Sequence, residues 1–288
     1  GVYYFPNEDI GITATAIWVY KDAYGQYSSK GKLKNGKRHG HWDLWYENGQ
    51  KKAEVNYING TIDGELVGWH ENGQKSMELG FISSSDDISV NSWHENGQQK
   101  SNGTVYISEE GKVVENGLFT FWFDNGQKEK EGIYKDGNLE GKWTAWDKTD
   151  GYKWTEGTYK NNIQEGKWTW WHENGQKQHE GEYVSGIKHG KWSEWHKNGK
   201  KIDERNYKEG YLDGMWTRWY ESGEIKSQDM YTNNELNGLS SGWHKNGSKS
   251  HVHFYKNGKR DGVWQEWEET YGKRTLYLRY EDGKIKSD

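Results

Sequence analysis

The sequence predicts an all-β protein, an elongated antiparallel meander of tandem β-hairpins forming a twisted open sheet. Three observations predict it. One Trp recurs at Trp45, Trp69, Trp93, Trp122, Trp146, Trp171, Trp195, Trp219, Trp243 and Trp267, spaced 24, 24, 29, 24, 25, 24, 24, 24 and 24 residues apart. A Gly stands five residues before that Trp in nine of ten copies, and Ile88 takes its place in the third. Asn-Gly follows the Trp at Asn48-Gly49, Asn72-Gly73, Asn96-Gly97, Asn125-Gly126, Asn174-Gly175, Asn198-Gly199 and Asn246-Gly247. A fixed period of this length marks a repeat array, in which each unit touches only its neighbours.

Residues 1–30 stand outside the period. TATAIWVY at 13–20 reads as a strand, and this region is expected to cap an open sheet edge. From residue 31 to 288 the chain reads as about ten 24-residue repeats with no domain boundary. The unit at 165–186 is typical: KWTWWH, then Asn174-Gly175, then KQHEGEYV. Asn-Gly supplies positive φ at both central positions of a type I′ turn, the expected turn here. A second turn closes the unit, as at Asn59-Gly60, Asp136-Gly137, Ser185-Gly186, Glu209-Gly210 and Asn257-Gly258. Two reversals per unit give antiparallel neighbours and roughly twenty strands, which at ~4.8 Å each would extend on the order of 100 Å. Gly interrupts every window in which a 3.6-residue period could build a helix.

Composition fits a thin, half-wet sheet. Only 31% of the 288 residues are hydrophobic, yet there are 19 Trp, 20 Tyr and 38 Gly against one Pro. Disordered chains are poor in aromatics, and a thick dry core would need more aliphatic residues. The net charge of −5 disfavours nucleic-acid binding, which needs a basic stripe to displace counterions. With no Cys, disulfides and thiolate chemistry are excluded. No run of about 18 apolar residues is present to span a membrane. The chain begins at Gly1 rather than Met. The compartment therefore stays open between the cytoplasm and, were a signal removed, the cell envelope.

Three columns are candidate binding surfaces. Three residues before the repeat Trp stands a second ring, including Trp143, Trp168, Trp192 and Trp216. An odd offset places the two columns on opposite faces. Packing between strands is the plain reading of the ten-member Trp column, and a ligand-facing strip is an equal alternative for the less regular one. Nine residues after the repeat Trp, ten at Glu156, runs a carboxylate column that includes Glu131, Glu156, Glu180 and Glu204 and stops at Gln228 and Val252. A solvated face is its plain reading; an acidic strip that docks a basic protein is the functional one. Third, repeat three is irregular at 81–90 and its next turn, 108–117, is lengthened. Such a loop on a rigid scaffold is either a site or tolerated drift.

Catalytic and metal chemistry are not expected. His70, His94, His172, His196 and His244 follow the repeat Trp, but neighbouring copies should lie ~10 Å apart, too far to share an ion bound at ~2.1 Å. A catalytic triad needs one unique oriented constellation, which residues recurring at a fixed position do not supply. Glycine-rich nucleotide motifs are absent, and no cofactor is expected.

The unit DGxWxxWHENGQKxxExxYxNG resembles the MORN repeat variant, in the form found in bacterial YwqK-family antitoxins. The clearest matches are 40–60, 64–79, 117–137, 166–186, 190–210, 214–223 and 262–267. The resemblance implies an all-β hairpin array with no enzymatic activity that acts through protein contacts. Some MORN proteins are linked to membranes or lipid head groups. The antitoxin label would imply that the chain binds and blocks a cognate toxin.

The leading expectation is thus a non-enzymatic protein-binding scaffold, including the antitoxin or immunity class, with a basic toxin as partner for the Glu column. An envelope array that stacks glycans on Trp143, Trp168, Trp192 and Trp216 is the alternative, and a membrane-associated scaffold ranks lower. The open edge near Tyr277–Tyr280 could pair with a second copy.

Overall fold

The computed structural model describes residues 14–19, 26–81 and 86–286. Most of the expected cap, and residues 82–85 of the irregular repeat, lie outside them. The described residues form 26 β-strands and no helix, paired antiparallel in chain order. They fall into two compact units, one up to Leu139 and one from Glu140, a division that the unbroken repeat does not announce.

In the first unit Ala14–Val19 pairs, among the described residues, with Tyr27–Lys34 alone. Trp18 lies 5.1 Å from Trp42, a ring with no exposed surface. The ladder then runs hairpin by hairpin to Lys128–Lys135. The second unit repeats the scheme from Asn138–Trp146 onward to Lys284–Ile285.

The turn after the repeat Trp differs from expectation. At the Asn-Gly after the repeat Trp only the Gly has positive φ, 85° at Gly49 and 79° at Gly175. Tyr46 O accepts from Gly49 N at 3.0 Å and Tyr46 N donates to Gln50 O at 2.8 Å. This is a three-residue loop, a type I turn followed by a left-handed Gly, and not type I′. The two-residue type I′ turn is the other one, where Asn59-Gly60 has φ of 52° and 90°. Asn161-Asn162 and Asn233-Asn234 make it without any Gly. The Asn of the first turn serves a different purpose. Asn174 Oδ1 accepts from Gln176 N at 3.1 Å, and Nδ2 donates to Lys197 O of the next repeat at 2.6 Å.

The Gly before the Trp marks a bulge. Gly166 has φ of 66°, and the pairing slips beside it, from Glu156↔Thr169 to Thr158↔Glu165. A left-handed residue suits Gly because it has no Cβ to clash. Where Ile88 replaces it, Lys75–Phe81 pairs with Ile88–Trp93 with no slip, and Ile88 packs with Val105 and Phe119.

Side chains divide between two faces. Opposite partners share a face, so Trp168 with Gly181, Trp170 with His179, and Gly166 with Tyr183 define an aromatic face. Lys167, Thr169 and their partners Glu182 and Glu180 define the other, which also carries the repeat Trp. The opposite placement of the two Trp columns thus follows from their odd offset.

Candidate functional site

On the aromatic face the rings of the second unit interlock. Trp143, Tyr159, Trp168, Tyr183, Trp192 and Tyr207 follow one another at centroid distances of 5.9, 5.1, 6.3, 5.0 and 6.3 Å, all edge to face. A glycine makes room for the large rings. A Cβ on Gly181 would lie 2.1 Å from Trp192, and one on Gly157 would lie 2.1 Å from Trp168. The indole then reaches past the strand to a carbonyl: Trp168 Nε1 donates to Thr158 O and Trp192 Nε1 to Glu182 O, each at 3.2 Å. Trp168 is 2% exposed and Trp192 9%. Rings so covered offer little open face for a sugar to stack on. Trp143 and Trp216 are half-buried.

The Glu column lies on the other face, tied to lysines. Glu180 takes ion pairs from Lys167 at 3.0 Å and from Lys177, and Glu156 from Lys142 at 3.1 Å and Lys153 at 3.2 Å. Lys191 at 2.8 Å and Lys201 bracket Glu204 in the same way, while Lys128 meets Glu131 at 2.7 Å. Burial raises the pKa of Glu156, Glu180 and Glu204, but the two lysines on each outweigh it and hold the carboxyls below the usual range. A strip neutralised from within has little field left to offer a basic partner. The lysines also cover the repeat Trp: Lys153 Nζ sits 4.1 Å from the Trp171 ring centre.

The His column joins successive repeats. His172 Nε2 lies 2.8 Å from Trp195 O, and His70, His94 and His244 reach Trp93, Trp122 and Trp267 O at 2.9 Å. Tyr46 and Tyr220 donate to Trp69 O and Trp243 O from the same position. Among the described residues one set of possible metal ligands, His41, Asp43 and Glu54, converges within 4.8 Å. The Lys51 ammonium lies 3.0 Å from Asp43 and pairs with Glu54, so a cation already stands there. Beside the irregular repeat a shallow cavity of 410 Å³ is lined by Gly64, Glu65, Glu78, Gly80, Phe81, Ser89 and Asn91.

What the recurring columns leave over is a row that does not recur. On the aromatic face it crosses the second unit strand by strand as Ala145, Thr155, Trp170, His179, Glu194, Asp203, Arg218 and Ser227. Here the repeat is broken by charge. Arg205 occupies the place of Gly157 and Gly181, so Trp216 lacks the flat seat of Trp168 and Trp192. Its Nε1 is buried without a hydrogen-bond partner, as is Arg205 Nε. Asp203, 6% exposed, pairs with Arg205, and burial raises its pKa in spite of that cation. Two strands on, Asp229 is 4% exposed and held by Arg218 at 2.8 Å, Ser240 at 2.5 Å and Ser227 at 3.2 Å.

A cleft of 270 Å³ opens on this row between Trp170, His179, Lys188, Trp192, Glu194, Asp203, Arg205 and Tyr207. Trp170 tilts against Trp192 at 5.9 Å, and Lys188 Nζ stands 4.2 Å from the Trp192 ring centre. Burial lowers the pKa of both His179 and Lys188, and Arg205 adds to the fall at Lys188. The cleft combines aromatic walls with both signs of charge, the mixture that anchors a protein side chain. Of the residues singled out from the sequence only Trp192 lines it. The signal for the others was a column whose residues vary, not one whose residues recur.

Fold and site together define an open array of hairpin repeats, a scaffold class. The MORN repeat variant matches the chain five times, at residues 38–59, 115–136, 164–185, 188–209 and 212–233, so these segments are MORN variant repeats. No curated protein sequence matches it. Among solved structures, TcdB2-TccC3 without its hypervariable C-terminal region aligns with 96% of this chain at 11% identity and a TM-score of 0.21. The Photorhabdus luminescens Tc holotoxin pore aligns with 88% at 12% identity and a TM-score of 0.17. The chain spans 16% of the length of each. Alignments this loose do not define a shared fold.

Proposed function

We propose that the chain is a non-enzymatic scaffold whose second unit binds a protein partner through the Trp170–Trp192 cleft. The observation that supports this is the placement of the non-recurring charges. The recurring Trp, Tyr, Glu, His and Asn hold hairpins together, and Lys188 lies over the Trp192 and Tyr207 rings as Arg38 and Arg260 lie over theirs, whereas Glu194 has no such contact. Both line the cleft, and neither has an ion-pair partner among the described residues. A rigid sheet offers such groups without an ordering cost on binding. The narrower antitoxin or immunity reading rests on the family resemblance, and its partner would be a toxin.

The test is capture from lysate of the source cells with wild-type chain and with Lys188→Glu/Glu194→Lys, which preserves net charge. Mass spectrometry should find one stoichiometric protein on the wild type, bound at least about tenfold more weakly by the swapped variant. Circular dichroism checks that the variant is folded. Equal recovery by both baits rules the cleft out. If the captured protein is a toxin, its activity measured with and without the chain decides the immunity reading.

A further inference from the structure

The face opposite the cleft changes character within the second unit. From Lys142 to Asn206 it is the Lys–Glu lattice described above. From Gly214–Trp219 to Arg274–Glu281 the lattice stops. The lysine column of Lys142, Lys167 and Lys191 becomes Met215, Leu239 and Val263. Their partners across the strands include Met230 and Phe254. Met215, Leu239 and Phe254 are 37, 43 and 45% exposed. The glutamate column becomes Gln228, Val252 and Tyr277. The lysine that would pair with it persists at Lys249 and as Arg274, both exposed and without an ion-pair partner among the described residues.

We infer that this face docks a partner segment that carries apolar side chains flanked by carboxylates. Two features point to that chemistry. Six strands at ~4.8 Å spread the apolar residues over roughly 25 Å, beyond the scattered exposure of an ordinary surface. Lys249 and Arg274 stand where the preceding repeats hold a Lys paired to a Glu, and here the carboxylate is missing. A partner's carboxylates complete the same pairs that Glu180 and Glu204 make from within. A basic segment would meet like charge at Lys249 and Arg274. This surface is separate from the cleft and can be tested apart from it.

The probes are two synthetic peptides with alternating Leu and Phe, one with Glu and one with Lys between them, and phosphatidylserine vesicles. Fluorescence anisotropy on the full chain should show the acidic peptide binding at least about tenfold more tightly than the basic one, weakening as salt rises. Lys249→Glu/Arg274→Glu should reverse that preference, and Leu239→Glu/Phe254→Glu should abolish binding to both. Lys188→Glu, in the cleft, should leave acidic-peptide binding unchanged. Equal binding of the two peptides, or an unaltered preference in Lys249→Glu/Arg274→Glu, overturns the inference. So does binding of vesicles without binding of the acidic peptide, which would make the face a lipid contact instead.

Discussion

Gly181→Ala isolates the fit between a glycine and the indole that lies on it. Gly181 does not have positive φ, so Ala imposes no backbone strain there. Its Cβ would lie 2.1 Å from Trp192 Cδ2 and 2.2 Å from Cε2, so the ring must leave its seat. Overpacking a tight site costs about 1–3 kcal/mol. The displaced ring also loses the Nε1 hydrogen bond to Glu182 O, worth about 0.5–1.5 kcal/mol. Its 5.0 Å edge contact with Tyr183 adds about 0.5–1.5 kcal/mol. The expected loss is about 2–6 kcal/mol, read by urea denaturation with tryptophan fluorescence. With Trp192→Ala as background, the same Gly181→Ala change should cost little, because the clash is gone. A loss below about 0.5 kcal/mol, or equal losses in both backgrounds, would refute the argument that Gly181 exists to seat Trp192.

Three further outcomes follow from the same geometry. Asp203→Thr/Arg205→Gly restores the residues found at Thr155 and Gly157; it should raise the urea midpoint and abolish partner capture, whereas a lowered midpoint would contradict the view that this repeat departs from the pattern for binding. The carboxyls of Glu156, Glu180 and Glu204 are held below their unfolded value of 4.5, so their stabilisation is complete above that pH and is lost as pH falls through the lower folded values. Asp203, raised by burial, acts in the opposite sense in the same range, and melting temperature should still fall below about pH 4.5, less so in a triple Glu→Gln variant. His172→Tyr should be tolerated, since Tyr46 and Tyr220 hold the same carbonyl, while His172→Ala should cost about 1 kcal/mol in the same unfolding assay.

Much of the fold is legible because a repeat restates its local rules ten times. The period, the alternation of strand and turn, and the odd offset between Trp columns are local, and local sterics enforce each one. Even the missing Gly at Ile88 shows in the structure as a missing bulge. The turn after the repeat Trp is not the expected type I′ because Asn-Gly suits two hairpin geometries. Asn48 takes negative φ in a three-residue loop, while Asn59 takes positive φ in a two-residue one. The number of residues between the last ladder bonds decides between them, and that depends on strand pairing.

Sequence by itself determined the class of protein, the hairpin unit and the absence of helix among the described residues, because periodicity and turn chemistry act within a few residues. Tertiary structure decided what each column does. Glu156, Glu180 and Glu204 read as an acidic strip until pairing brought Lys142, Lys167 and Lys191 onto them from the neighbouring strand. Trp168 and Trp192 read as candidate ligand platforms until Gly157 and Gly181 were seen to receive them. The cleft of Trp170, His179, Glu194 and Asp203 is assembled from four strands, across residues that share no motif. A side chain's availability depends on its neighbours across the sheet, and in an antiparallel array those neighbours lie one hairpin away in sequence, where only the register of pairing can identify them.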